Sequence, residues 1–225
     1  MFYEQQYWAI HLVQSFSSPA LDLFFQLVNV LGNPVFWFVV GVFFYWKGKE
    51  RTAFHIMNLL LFTAVVVGAM KAFFAVARPA PSIVERKIDD TYNELSFPSG
   101  HSATAAAIYA HYSGIAKGNW KLLAGLLVLL VAVARVYLGV HFPADVAIGL
   151  AVGFAIGKIN LSIERRFEKA HFRITKLEDD ILVVATVVVF LAGLYLISSL
   201  VLLALLTGFY AGFFAWQERK ARQKK

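Results

Sequence analysis

The chain has 225 residues, 59% of them hydrophobic and only 16% charged, with 21 Lys and Arg against 14 Asp and Glu. That is too apolar for a soluble domain of ordinary composition, and the absence of cysteine excludes disulfides, thiolate metal sites and a cysteine nucleophile. A net charge of +7 invites a nucleic-acid partner, but in a membrane chain basic residues mark cytoplasmic loops instead, so none is expected.

Several uncharged runs approach or exceed the length of about 17–20 residues that crosses a bilayer core. The expected fold is all-α: a polytopic membrane bundle of six to seven transmembrane helices behind an N-terminal interfacial segment. That segment, residues 1–32, is amphipathic, rich in Trp, Tyr and Phe, and interrupted by Ser17-Ser18-Pro19. It reads as lying along the membrane surface. It lacks both a basic start and a continuous apolar core, so no cleavable signal peptide is expected. Helices follow at 34–47, 53–78, 99–116, 120–138, 143–161, 181–197 and 200–216. Asn33-Pro34 is an N-cap with proline at the first helical position, Pro79 stops the second helix, and Pro143 opens the fifth. The chain thus divides into the surface segment, a helical core over 33–161, and a basic linker, C-terminal hairpin and basic tail over 162–225.

The hairpin rests on charge. The apolar run from 181 to 216 is about twice a spanning length, with Ser198-Ser199 as its natural turn. Sixteen of the 21 cations fall in four clusters, at 47–51, at Lys117 and Lys121, at 158–176, and from 219 onward. Seven spans put all four on one side, which the positive-inside rule makes cytoplasmic, with the N-terminus outside. Five cations remain near the outer face: Lys71, Arg78, Arg86, Lys87 and Arg135. Arg86 and Lys87 sit in an acidic loop and read as solvated.

The other three need a reason. Lys71 and Arg78 are seven residues apart, which on one helix puts both on one face about 10 Å apart. Arg78 alone is explained by snorkelling. Lys71 lies deeper, with nothing acidic on its own helix, where an unpartnered cation is costly. In "PSGH", Pro98 breaks the incoming loop and Ser99 and Gly100 lie where a helix starts. Helix-start amides and a missing side chain suit a bound phosphate, Ser99 adds a hydroxyl donor, and His101 is placed to exchange a proton. A plain serine cap beside an interfacial histidine explains the same four residues. In "ARVYLGVHFPAD", His141 precedes the helix opened by Pro143, and Asp145 in its first turn can reach back to the imidazole. A carboxylate on one ring nitrogen fixes the tautomer and exposes the other. For that pair alone, a helix cap with a hydrogen-bonded histidine is the commoner case. His11, His55, His111 and His171 lack such company and read as structural. A metal on His101, His141 and Asp145 is opposed by Lys71, Arg78 and Arg135, which favour an oxyanion, so no metal is expected.

Together, "KAFFAVARP" (71–79), "PSGH" (98–101) and "ARVYLGVHFPAD" (134–145) resemble the three-part pattern of the type 2 phosphatidic acid phosphatase superfamily, whose active site vanadium haloperoxidases share. At average residue usage "PSGH" alone arises in roughly one in a thousand chains of this length. The motifs cover 25 residues, and 53–161 looks like the family's four-helix unit. The resemblance implies a polytopic lipid phosphatase with no cofactor. His141 would attack phosphorus, Asp145 would orient it and His101 would protonate the leaving oxygen. Lys71, Arg78, Ser99, Gly100 and Arg135 would hold the phosphate. Ala134 departs from the pattern, which usually has serine there. The implied substrate is a lipid phosphate or diphosphate in the bilayer, with polyprenyl diphosphate as first choice and phosphatidylglycerophosphate and phosphatidic acid beside it. Two alternatives stay open: phosphotransfer to another lipid or a sugar, and an anion-binding transporter without chemistry.

Overall fold

A computed structural model describes residues 2–89, 94–115 and 118–170 of the chain. The helices expected at 181–197 and 200–216, the basic tail and His171 lie outside the described residues. Within them the chain is all-helical, and the sole strand-like feature is a single bridge between Ala77 and Leu95.

A 3-10 turn at Glu4–Gln6 leads into α1 (Tyr7–Gln14), and Ser18-Pro19 restarts the chain as α2 (Pro19–Val30). The Ser18 hydroxyl accepts from Leu21 N, with proline at N1 or N2, where its missing donor costs nothing. Asn33 repeats the device for α3 (Pro34–Trp46), its Oδ1 accepting from Val35 N at 2.8 Å. Next come α4 (Glu50–Phe74), α5 (Gly100–Tyr112), α6 (Trp120–Tyr137) and α7 (Pro143–Ala170). Among the described residues three helices are long and apolar enough to cross a membrane: Arg51–Phe74, Trp120–Tyr137 and Pro143–Arg165. The pair α2 and α3, bent by 51°, passes the same criteria as one broken span, giving up to four.

The helix expected to run to residue 78 stops at Phe74. Ala75 takes the left-handed conformation that caps a helix, and Pro79 keeps Arg78 out of the α region. Arg78 therefore does not share a helical face with Lys71. It lies on an extended segment that pairs with the returning chain through Arg78 N→Glu94 O (3.1 Å) and Ser96 N→Val76 O (2.7 Å).

At only 13 residues, about 20 Å, α5 is shorter than a bilayer core, and His101 to Ala107 are all buried. It is the central post, and its most extensive contact is with α7. Gly149, Gly153 and Gly157 line up along α7 against the α5 cap Ser99 and against Ala103 and Ala107 of α5, and a Cβ on any of the three would collide with the facing carbonyl oxygen. Small residues at four-residue spacing let two helix backbones approach closely, as in membrane helix pairs generally. Ser99 N→Asp145 O, 2.9 Å, closes the top of that seam.

The N-terminal segment packs onto this core. α1 and α2 contact α6, and Val28 joins a cluster with Ala105, Val131 and Tyr137. Gln14 Nε2 donates to Glu85 O (2.7 Å) and Tyr137 O (2.9 Å), and the Tyr7 hydroxyl accepts from Ala80 N (3.1 Å). Lys87, expected to be solvated, instead has a side chain only 4% exposed, paired with Asp22 and Glu85 and stacked over Tyr137. α2 creates that pocket by bringing Asp22 against the loop.

Candidate active site

Four chain segments meet at one end of the bundle: the last turn of α4, the paired extended segments around Arg78 and Ser96, the start of α5, and the turn joining α6 to α7. That turn depends on Gly139, whose φ of +72° is open to glycine and strained for other residues. A side chain there would also strike Glu85 O. Two residues later His141 projects into the convergence, 1% exposed.

The hydrogen bonds around His141 assign its tautomer. Arg78 Nη1 lies 3.2 Å from Nε2. A guanidinium can only donate, so Nε2 carries the lone pair and the ring proton sits on Nδ1. Nδ1 is 3.1 Å from Ser96 Oγ and 3.5 Å from Asp145 Oδ2, and Ser96 Oγ in turn donates to Asp145 Oδ2 in a very short contact. Asp145 Oδ2 also accepts from Phe142 N at 2.9 Å, the reach-back over the helix start read from the sequence. At 3.5 Å the carboxylate is too far for a good direct hydrogen bond to Nδ1, so Ser96 relays its effect. Ser96 lies outside the three motifs, and only the strand pairing of residues 76–78 with 94–96 brings it in. Burial, and then the positive charges of Arg135, Arg78 and Lys71, hold His141 well below the usual imidazole range. The ring is therefore neutral, with its Nε2 lone pair facing Arg78.

Lys71 Nζ donates to Leu95 O (2.5 Å) and Ser96 O (3.1 Å), so the deep cation holds the strand that carries Ser96. Arg78 Nη1 also donates to Val140 O, 2.9 Å. Ser99 caps α5 as expected, its Oγ accepting from Ser102 N (3.4 Å) and Ser102 Oγ (3.0 Å). Gly100 follows, with only Val67 near where a Cβ would stand, so internal packing does not demand glycine there. His101 is buried in the first turn of α5 against Gly32, at the corner between α2 and α3. Arg135, 1% exposed, donates to Asn29 Oδ1 at 2.5 Å, a second partner supplied by α2. All eight residues singled out by sequence are thus at this end of the bundle. Lys71, Arg78 and Gly100 are partly exposed, and the rest are buried. Ala134 is fully buried in the cluster of Val28, Ala105, Val131 and Val140, an apolar place where a hydroxyl would need a new partner.

The PAP2 superfamily model matches residues 52–169, more than half of the chain, and takes in every one of these eight residues. The chain belongs to the PAP2 superfamily. A crystal structure of Aquifex aeolicus LpxE superposes with a TM-score of 0.56 at 32% identity, covering 68% of this chain and 93% of that one. Phosphatidylglycerophosphatase B of Bacillus subtilis is 32% identical over 130 residues, 52% of this chain and 59% of that protein. Dihydrosphingosine 1-phosphate phosphatase of Schizosaccharomyces pombe is 27% identical over 161 residues, 65% of this chain and 39% of the relative. The chain therefore spans less than two thirds of these two PAP2 relatives.

Proposed function

We propose that this PAP2 chain is an integral membrane phosphatase that removes a terminal phosphate from a lipid phosphate or diphosphate through a phosphohistidine. The observation that carries the reading is the His141 tautomer: a neutral ring, Nδ1 backed by Ser96 and Asp145, Nε2 facing Arg78. A phosphate drawn between Arg78 and the start of α5 would meet that lone pair. Nε2 attacks phosphorus, the bond from phosphorus to the lipid oxygen breaks, and His101 gives its proton to the leaving oxygen. Water then attacks the phosphohistidine, returns a proton to His101 and frees His141 and inorganic phosphate. Lys71, Arg78 and Arg135 offset the charge on the phosphoryl oxygens, with the Ser99 hydroxyl and the Gly100 amide beside them. Three cations disfavour a divalent metal at this end, so the reaction is proposed to need none.

Lys47, Lys49, Lys121 and Lys158 lie toward the other end of the bundle, which supports an outward-facing site in a cell membrane. The phosphatases named among the relatives differ in lipid headgroup and share a phosphate on a lipid, which supports the substrate class. An outward site favours a polyprenyl diphosphate as first choice. The test offers purified protein polyprenyl diphosphate, phosphatidylglycerophosphate and phosphatidic acid in chelator, beside His141→Ala. Phosphate release from at least one, lost in the variant, is expected. Release that requires metal or survives the substitution would sink the mechanism, and release from none would sink the hydrolase.

A further inference from the structure

At the opposite end of the bundle, α4, α5 and α7 converge a second time. His55 from the first turns of α4, His111 near the end of α5 and Glu164 of α7 are all buried. Their candidate ligand atoms all lie within 4.8 Å of one another. Glu164 Oε1 is 3.0 Å from His55 Nε2, and Glu164 Oε2 is 3.5 Å from His111 Nε2. The two rings face each other at 4.9 Å between centroids.

Hydrogen bonding leaves this cluster incomplete. Neither ring nitrogen of His111, 0% exposed, has a hydrogen-bond partner among the described residues, and neither does Glu164 Oε2. A separation of 3.5 Å between the two is long for a hydrogen bond, and buried polar atoms left so are costly and point to a missing ion or water. A cavity of about 410 Å³ opens beside them, lined also by Arg51 and Tyr112. Donors held about 2.0–2.1 Å from a tetrahedral ion stand roughly 3.3 Å apart. Each histidine is near that distance from one Glu164 oxygen, and the three ligand atoms together lie within 4.8 Å, so a small inward shift would close them on an ion.

We propose that His55, His111 and Glu164 form a binding site for a divalent transition metal of the zinc class, with a fourth position open to the cavity. Two imidazoles and one carboxylate suit zinc over magnesium or calcium, which take oxygen ligands. The opposing charge is Arg51, whose Nη2 is 2.7 Å from Glu164 Oε1. Its side chain is 61% exposed, so it can swing into solvent and release the carboxylate. Arg165 also lines the cavity, and its guanidinium is engaged by Gly114 O, to which Nη2 donates at 2.8 Å. A bound ion would cross-link three helices at the end where α5 stops, and there the helix dipole favours positive charge.

The test uses full-length protein without a histidine tag, stripped with chelator and dialysed against zinc. One zinc per chain is expected, together with a raised melting temperature and, with cobalt substituted, the intense visible bands of a four-coordinate ion. His111→Ala should weaken zinc binding on the order of 100-fold, given that loss of an outer-shell partner alone costs up to that much. Arg51→Ala keeps all three ligands and should tighten binding about fivefold by removing the competitor for Glu164. Should His111→Ala fail to fold, Glu164→Gln takes its place, and Arg51→Ala still decides the sign. Zinc well below one per chain, unchanged binding in His111→Ala or Glu164→Gln, or weaker binding in Arg51→Ala would overturn the site. Binding abolished by His171→Ala would overturn this choice of ligands.

Discussion

The two ends of α5 use the same kinds of residue to opposite electrostatic effect. Each end has a cation from α4, a histidine from α5 and a carboxylate from α7: Lys71, His101 and Asp145 at one, Arg51, His111 and Glu164 at the other. At the first end two further arginines join, and the helix begins there, so its free amides and dipole add positive character. At the second the helix ends, the cation is largely exposed, and a carboxylate oxygen and an imidazole lack hydrogen-bond partners. The difference teaches that residue type does not decide what a polar cluster can hold. On the two proposals made above, the direction of the central helix and the number of fixed charges around the cluster would decide between an anion and a cation.

The sharpest way to break that comparison is His141→Ala, which should lower phosphate release on the order of 10⁴-fold or more while leaving the helical content unchanged. Activity within tenfold of wild type would remove the nucleophile from this end. Next in size is Gly153→Val. Its side chain would drive into the Ala103 carbonyl, and a fall in stability of about 3 kcal/mol, read from thermal unfolding in detergent, is expected. Because the seam carries both ends, phosphate release should fall with it, and a stable, active variant would mean that α5 and α7 do not set the geometry. Ser96→Ala isolates the relay: kcat should drop about 10- to 100-fold with KM little changed. No change would mean that the 3.5 Å contact from Asp145 to His141 suffices alone. The smallest effect is on pH. His141 is held below its ordinary value by burial and by Arg135, Arg78 and Lys71. In the proposed mechanism only the neutral ring can attack. The acid limb of the rate profile therefore lies below about 6.5. Arg135→Gln removes one repulsion, so the limb should move upward by up to about one unit on the same substrate. A downward move would show that Arg135 does not face the ring.

The gathering of these residues at the first end is legible because they sit in short local motifs. His101 beside its cap and Asp145 four residues after His141 are fixed by helix geometry alone. Ser96 and Asn29 were not legible: each reaches its partner only through long-range pairing, and neither carries a signal in its own neighbourhood. Arg78 reads as helical because the apolar run continues past Phe74, whereas the left-handed turn at Ala75 has no glycine to announce it. The pair His55 and His111 read as unrelated for the same reason, being 56 residues apart and brought together only when α4 packs on α5. Lys87 looked solvated because its neighbours in sequence are charged, although its neighbours in space are Asp22 and the ring of Tyr137.

The glycine seam also fixes a length. His55 and Lys71 lie sixteen residues apart on one unbroken helix, a rise of about 24 Å against roughly 30 Å of bilayer hydrocarbon. With α5 shorter still and locked to α7, the molecule cannot stretch to close that gap. The surrounding lipid must thin, or the polar ends must sit below the headgroup plane. Either way, on the proposed phosphatase reading, a phosphate would reach His141 by sinking toward the hydrocarbon, and bilayer thickness would become a variable in how easily a lipid delivers its headgroup.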